Sequence, residues 1–196
     1  MQLLQELSFL EIVGLMSGIG YVVLAARANI WCWPIGLVNV AVFLFINYEA
    51  KLYADAGLQV VYLALTLYGW YNWIEKPENS TETLHISTTT SKQWLILSGI
   101  VVVSALVMSL ILDQYTDTDV PRWDAIVTAL SLVATWMTAQ KKLENWLVWI
   151  VADVLYVGLY FHKGYMLLTI LFVIYIFVAV QGYFYWRKLQ ALKKSI

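Results

Sequence analysis

Charged residues are scarce in this chain, and histidine and cysteine are scarcer still. Of its 196 residues 13% are charged, with two His and one Cys, whereas soluble domains carry about 25% charged residues. The lone Cys32 excludes a disulfide framework, and the two histidines show no zinc-binding spacing. A net charge of −1 offers no basic face for nucleic acid. No nucleophile motif, phosphate-binding loop or metal-ligand cluster occurs, so the sequence predicts neither an enzyme nor a bound cofactor.

Apolar residues dominate what is present. They make up 61% of the chain, with ten Trp and thirteen Tyr, a composition typical of membrane proteins with aromatic belts at both interfaces. Seven apolar runs are long enough to cross a hydrocarbon layer of about 30 Å as helices. The sequence therefore predicts an all-α integral membrane protein with lipid as its surroundings, and its spans lie near 8–26, 31–48, 53–74, 93–112, 123–140, 145–161 and 165–186.

The distribution of Lys and Arg predicts the orientation. Nine of the twelve basic residues fall on the side that holds the C-terminus, and three fall on the other side. The positive-inside rule then places the N-terminus outside and the C-terminus in the cytoplasm. Residues 75–92 form a polar segment rich in Ser, Thr and Glu, which we interpret as a solvated cytoplasmic loop.

An internal repeat organises the spans. Sliding the chain by 113 residues superposes several aromatic residues and glycines without a gap, namely Trp33 on Trp146, Tyr62 on Tyr175, Gly69 on Gly182 and Trp73 on Trp186. Two three-helix repeats, 1–74 and 123–187, are thus joined by a single linker helix, 93–112, and followed by a tail, 188–196. One intervening span makes the two halves parallel, a transporter design with substrate near the midplane between repeats.

Polar residues recur at helical spacing in four of the predicted helices, so each set shares one helix face. Asp153 lies in the middle of its span, where a carboxylate costs roughly 2.5–3.5 kcal/mol on insertion scales. Faces of this kind, turned inward, suit a flat, polar, cationic ring held by aromatic residues and one carboxylate. The predicted substrate-binding residues are Asn39, Gln59, Tyr62, Trp70, Thr128, Asn145, Trp149, Asp153 and Tyr156.

Each of these positions also has a structural interpretation. Asn39 and Gln59 are as well suited to joining helices as to binding a ligand. Ser131 and Thr135, on the same face as Thr128, are expected to bond their own backbone. For Asp153 the functional interpretation leads; the alternative is a structural partner on a neighbouring helix, with Asp153 protonated or hydrogen-bonded.

Two further expectations concern tryptophan and register. Trp33, Trp73 and Trp186 lie near predicted helix ends, which favours a role as interfacial anchors. The repeat pairs Asn39 with Ala152, so only a shift of one residue in the sixth helix would place Asp153 opposite Asn39. The sequence leaves that register open.

Several motifs resemble the PnuC family of bacterial vitamin transporters. They are N-x6-G-x2-N at Asn29–Asn39, Y-G-W-Y-x-W at Tyr68–Trp73 and E-N-W-x-x-W at Glu144–Trp149. The resemblance covers nearly the whole chain. It implies a three-plus-one-plus-three architecture like that of full-length SWEET transporters and energy-independent uptake through the inner membrane. It also implies trapping of the vitamin by a cytoplasmic kinase, and trimeric assembly.

Within that family the resemblance implies two main substrates. Asp153 and Tyr156 stand where nicotinamide riboside carriers tend to have Asn and Ser, and a carboxylate can pair with an aminopyrimidine. We therefore favour thiamine, the substrate of the PnuT carriers, with nicotinamide riboside as the alternative. A proton- or sodium-coupled carrier and a sugar carrier of SWEET type are more distant alternatives.

Overall fold

A computed structural model of the chain describes residues 9–74, 86–116 and 118–194, and helices make up most of them. The predicted seven-helix architecture is confirmed, although α4 and α7 run beyond their predicted ends. The helices are α1 (Phe9–Ala26), α2 (Cys32–Glu49), α3 (Tyr53–Ile74), α4 (Ser91–Tyr115), α5 (Pro121–Ala139), α6 (Asn145–His162) and α7 (Met166–Lys194).

Five of these helices are long and apolar enough to cross a membrane: α1, α2, α4, α6 and α7. Helices α3 and α5 reach 22 and 19 residues, which corresponds to about 33 and 28 Å at 1.5 Å per residue. Their polar stripes lower their hydropathy. Such helices belong in the interior of a bundle, where other protein groups meet their polar side chains.

The chain divides into two compact units, one holding α1–α3 and the other α4–α7. In the first unit α2 packs against α1 and α3; in the second, α5 packs against α4 and α6, and α6 against α7. Ten of the 19 residues of α5 are buried. Its residues Val133, Ala134 and Met137 form an apolar cluster with Leu97 of α4 and Val148 of α6.

The repeat extends to the backbone of the connections. Ala28, Lys51, Lys141 and Gly164 have φ of 53°, 60°, 56° and 76°, and they form two pairs separated by 113 residues. Each follows a helix and closes the same turn; for example, the N–H of Ala28 bonds Ala25 O and that of the next residue bonds Leu24 O. This is the Schellman arrangement, which satisfies carbonyls at a helix end. Three of these four residues adopt the left-handed conformation although they are not glycine.

The same spacing settles the register of α6. Helices α2 and α6 both begin and both end 113 residues apart, so no residue is inserted or lost between them. Asn39 therefore corresponds to Ala152, and Asp153 corresponds to Val40, which is also buried. The shift that would place Asp153 opposite Asn39 does not occur.

Each unit contains one pair of edge-on tryptophans. The rings of Trp33 and Trp73 have centroids 5.4 Å apart at 82°, and those of Trp146 and Trp186 are 5.5 Å apart at 87°. All four side chains are buried. The expectation that Trp33, Trp73 and Trp186 are interfacial anchors is therefore wrong, because their rings pack between helices.

Glycine makes this packing possible. The ring of Trp33 lies against Gly69 of α3, and the ring of Trp146 lies against Gly182 of α7, where a Cβ atom would come within 2.7 Å of the indole. Neither indole N–H has a hydrogen-bond partner among the described residues. Close ring packing thus takes precedence over an indole hydrogen bond at both positions.

Residues Ile86–Thr90, within the segment predicted as a solvated loop, are held in place. Ser87 pairs with the connection between α5 and α6 through Ser87 N to Lys141 O (3.0 Å) and Leu143 N to Ser87 O (2.9 Å). Glu144 accepts bonds from the N–H and hydroxyl of Thr89, each at 2.8 Å. Thr90 then caps α4 through a reciprocal bond with Gln93. Residues 75–85 lie outside the described part of the chain.

Alanine at Gly69 or Gly182 should destabilise the protein by about 1–3 kcal/mol, because the new methyl group overpacks against a tryptophan ring. Thermal unfolding of the purified protein in detergent measures the effect. Gly57→Ala and Gly99→Ala are matched controls, since nothing lies within 4 Å of a Cβ at either site. These controls should unfold at or slightly above the parent temperature. Equal effects at all four glycines would contradict the packing argument.

Candidate substrate site

In the first unit the predicted residue Asn39 joins two helices. Its side-chain N–H donates to Gly14 O at 2.6 Å and lies 3.3 Å from the hydroxyl of Ser17, both on α1. The amide is half-buried, and its donors are directed to the neighbouring helix. This geometry favours the helix-joining interpretation of Asn39.

The other three predicted residues of the first unit lie on α3. Gln59, Tyr62 and Trp70 are half-buried, and the backbone carbonyl of Tyr62 accepts a bond from the Thr66 hydroxyl at 2.7 Å. Their side chains follow one face of the helix at spacings of three and eight residues, as the sequence predicts.

In the second unit the predicted residues form two groups. The first group lies where α5 ends and α6 begins, around Thr138. Its hydroxyl is 3.1 Å from Asn145 Oδ1 and 3.3 Å from the indole N–H of Trp149, and the amide of Asn145 donates to Lys142 O at 2.6 Å. Asn145 is fully buried, and both of its polar atoms have partners. Its contacts therefore hold α5, α6 and their connection together.

The second group lies midway along α5 and α6. The Tyr156 hydroxyl is 3.4 Å from that of Ser131 and also interacts with Thr128. Ser131 and Thr135 bond carbonyls of their own helix at 2.8 Å each, which confirms the backbone interpretation for both residues. Asp153 is close enough to interact electrostatically with Tyr156 and with Tyr175 of α7. A polar patch thus joins α5, α6 and α7.

Two acids interact electrostatically with Tyr156, namely Asp153 and, from the end of the polar face, Asp124. Asp153 is the more deeply buried of the two. Only 3% of its surface is exposed, and no hydrogen bond or ion pair joins its carboxylate to a residue in the described ranges. Buried carboxylates are normally paired or hydrogen-bonded. The structural alternative for Asp153, a partner on a neighbouring helix, therefore finds no support in the described residues.

A ladder of aromatic rings lies beside this patch. Tyr156 packs against Phe172 of α7 with centroids 4.5 Å apart and stacks on Tyr160 at 5.7 Å. Phe172 in turn meets Tyr175 edge-on at 5.5 Å. Flat faces of this kind suit an aromatic or cationic ligand.

An ion pair lies at the other end of this polar face. Lys163 Nζ is 2.9 Å from Asp124 Oδ2, and the Thr118 hydroxyl donates to the same oxygen at 2.6 Å. Both charged side chains are 22% exposed. The corresponding residues of the first repeat are Glu11 and Ala50, so this ion pair belongs to the second repeat alone.

The structure thus brings together Thr128, Asp153 and Tyr156 in one group, and Asn145 and Trp149 in another. Sequence reasoning missed Thr138 and Tyr175. Thr138 continues the stripe of Thr128, Ser131 and Thr135 by three more residues, and Tyr175 is the repeat partner of Tyr62. Both signals were present in the sequence.

Comparison with known proteins identifies the family. The profile described as nicotinamide mononucleotide transporter matches residues 8–188. The chain belongs to the PnuC family. Its fold is similar to a crystal structure of the vitamin B3 transporter PnuC, with a TM-score of 0.73 and 27% identity over 94% of this chain and 83% of that one.

Curated relatives of this PnuC-family chain are named as carriers of two vitamins. The nicotinamide riboside transporter PnuC of Escherichia coli strain K12 is 26% identical over 92% of this chain and 86% of its own length. That of Neisseria mucosa is 28% identical over 93% and 73%. The riboflavin/roseoflavin transporter RibM of Streptomyces davaonensis is 27% identical over 87% and 81%. The chain is accordingly a multi-pass inner-membrane protein in a family of vitamin transporters.

Replacement of Asn145 by Ala should destabilise the protein without any vitamin present, by about 1–3 kcal/mol, because partners of a buried amide are left unsatisfied. Thermal unfolding in detergent measures this loss. Asn29→Ala is the control, since Asn29 is exposed and its side chain bonds only the nearby Trp31 N–H. Unchanged stability together with lost vitamin binding would make Asn145 a substrate contact instead.

Asp124 and Lys163 should be energetically coupled. In a double-mutant cycle of Asp124→Asn and Lys163→Gln, we expect a coupling free energy of about 0.5–1 kcal/mol that falls as salt is added. The measurement is the unfolding temperature of the parent, both single variants and the double variant. Strictly additive effects at low salt would show that the two side chains do not stabilise each other.

Proposed function

We propose that this protein is a carrier for the uptake of nicotinamide riboside across the bacterial inner membrane. The observation that carries the proposal is the likeness of nearly the whole chain to proteins named for this vitamin. It includes relatives in Escherichia coli and Neisseria mucosa and the vitamin B3 transporter structure. The similarity extends across both repeats, so it includes every helix that carries a polar stripe.

The preference for thiamine loses its support. None of the relatives reported above is named as a thiamine carrier, and the departures at Asp153 and Tyr156 are single positions set against a match over 92% of the chain. Nicotinamide riboside, the alternative in the sequence analysis, now becomes the main proposal. Riboflavin is the second candidate, because RibM is as similar to this chain as the nicotinamide riboside carriers are.

The geometry supports a division of labour among the predicted site residues. Within the second unit, Thr128, Asp153 and Tyr156, together with the aromatic rings of α7, would contact the vitamin. Within the first unit, the face of α3 that carries Gln59, Tyr62 and Trp70 stays a predicted contact surface. Asn39 and Asn145, whose amide groups bond neighbouring helices, would position these residues, as would Trp149 through Thr138.

Transport would be facilitated diffusion with the N-terminus outside and the C-terminus in the cytoplasm. Net uptake would then follow the concentration gradient of the free vitamin. Phosphorylation by a cytoplasmic kinase would maintain that gradient by removing the free vitamin. Moderate affinity suits such a carrier, because the bound vitamin must also be released on the other side.

Counterflow in proteoliposomes tests the substrate. Vesicles containing the purified protein and loaded with unlabelled nicotinamide riboside should accumulate the labelled vitamin, because exchange through a carrier needs no other energy source. Loading with thiamine or riboflavin should give far less exchange. Accumulation with riboflavin or thiamine in place of nicotinamide riboside would assign the carrier to that vitamin.

Two controls complete this experiment. Protein-free vesicles report leakage. A protonophore and the replacement of sodium by potassium should leave exchange unchanged if no ion is coupled to transport. Loss of exchange with the protonophore would instead indicate a proton-coupled carrier, and loss without sodium a sodium-coupled one.

A further inference from the structure

We propose that Asp153 is a charge filter, which restricts this carrier to flat aromatic substrates that bear a positive charge. The inference rests on the proposed function in so far as it concerns the same vitamin site. It extends that function in two ways. The positive charge of the substrate is the property that the carrier recognises, and Asp153 is the residue that recognises it.

No basic side chain of α6 can neutralise Asp153. The nearest Lys or Arg residues in sequence are Lys142 and Lys163, which lie about 15 Å away along the helix axis at 1.5 Å per residue. Both are engaged elsewhere, Lys163 with Asp124 and Lys142 with Thr88 O. The Lys and Arg residues in the described part of the chain all lie in connections or in the first or last two turns of a helix.

The neighbouring hydroxyls do not replace a cation. Ser131 directs its hydrogen to Val127 O at 2.8 Å, and Thr135 directs its own to Ser131 O. The Tyr156 hydroxyl is occupied with Ser131 and Thr128. The carboxyl group of Asp153, at 3% exposure, is therefore left without a hydrogen-bond donor among the described residues. Such a group is neutral by itself and becomes ionised when a cation from outside the chain lies beside it.

The first repeat shows whether the fold requires an acid at the position of Asp153. The residue equivalent to Asp153 in the first unit is Val40, which is 7% exposed in an equivalent helix. The same three-helix arrangement thus forms with an apolar side chain at this place. The fold does not require the carboxylate, and a binding role accounts for its presence.

The surroundings select the kind of cation. Tyr156 and Tyr175 are close enough to interact electrostatically with the carboxyl group, and Phe172 and Tyr160 extend the aromatic surface. A ring that carries its positive charge in the aromatic plane can lie on such faces while its charge meets the carboxylate. An ammonium ion or a neutral ring would use only one of these two features.

The test compares two ligands that differ in charge and little in shape: nicotinamide riboside, whose pyridinium ring is cationic, and its neutral dihydro form. Binding to the purified protein is measured by calorimetry for the parent, Asp153→Asn and Asp153→Glu. The parent should prefer the cation by about 10- to 100-fold, the range expected for an interaction with a charged group. Asp153→Asn should lose most of this preference, and Asp153→Glu should retain it.

Asp113→Asn is the matched control, since it removes one exposed acid at the end of α4 and should leave the preference unchanged. Equal binding of both ligands by the parent, or an unchanged preference in Asp153→Asn, would overturn the charge filter while nicotinamide riboside transport stands. Thiamine as the best ligand, bound more weakly by Asp153→Asn, would overturn the proposed vitamin but support the filter. Neutral riboflavin as the best ligand would overturn both.

Stability without ligand gives a second readout. Asp153→Asn and Asp153→Val should unfold at the parent temperature or above it, because each replaces a buried carboxyl group that has no hydrogen-bond partner among the described residues. A lower unfolding temperature in both variants would show that Asp153 has a structural partner within the protein, and the proposal would fall.

Discussion

A polar group inside a hydrocarbon layer must find its partner inside the protein, because lipid offers none. Nearly every polar side chain of the helices described above follows this constraint. Ser17, Ser131, Thr66 and Thr135 bond their own backbones, and the Schellman turns satisfy carbonyls at four helix ends. Among the described residues, the buried exceptions are the indole N–H groups of Trp33 and Trp146 and the hydroxyl of Tyr21; the carboxyl group of Asp153 also has no hydrogen bond to a described residue. Asp153 differs from the others because it can carry a full charge.

The two units use the same construction but not the same chemistry. Both rely on edge-on tryptophans packed against a glycine of the third helix, and both use left-handed residues at the same turns. Polar groups replace apolar ones in the second unit, where Asn145 corresponds to Cys32 and Asp153 to Val40. The Asp124–Lys163 ion pair also has no counterpart in the first unit. The two units thus share one scaffold and differ in the polar and charged groups that it carries.

This division bears on substrate choice in the family. Relatives named for nicotinamide riboside and for riboflavin are equally distant from this chain, at 26–28% identity. The percentage of identical residues therefore does not by itself separate riboflavin from nicotinamide riboside, for which more of these relatives are named. The residues that distinguish substrates belong among those that the packing does not require. Asp153 meets that criterion, because its repeat partner performs the same packing role without a charge.

The sequence by itself determined the helices, their repeat and the family. An apolar run is a local signal, and the 113-residue repeat is a periodic one. Both can be recognised in the sequence without knowing which residues are neighbours in space. It also predicted the inward stripe of Thr128 and Ser131, since helical periodicity places them on one face. The tertiary structure decided what each polar or aromatic side chain touches. Trp33 is a buried partner of Gly69 and not an interfacial anchor, and Asn39 and Asn145 bond neighbouring helices. Asp153 has no hydrogen bond or ion pair with the residues that the structure describes. These outcomes depend on contacts between residues far apart in the chain, and helix packing alone sets those contacts.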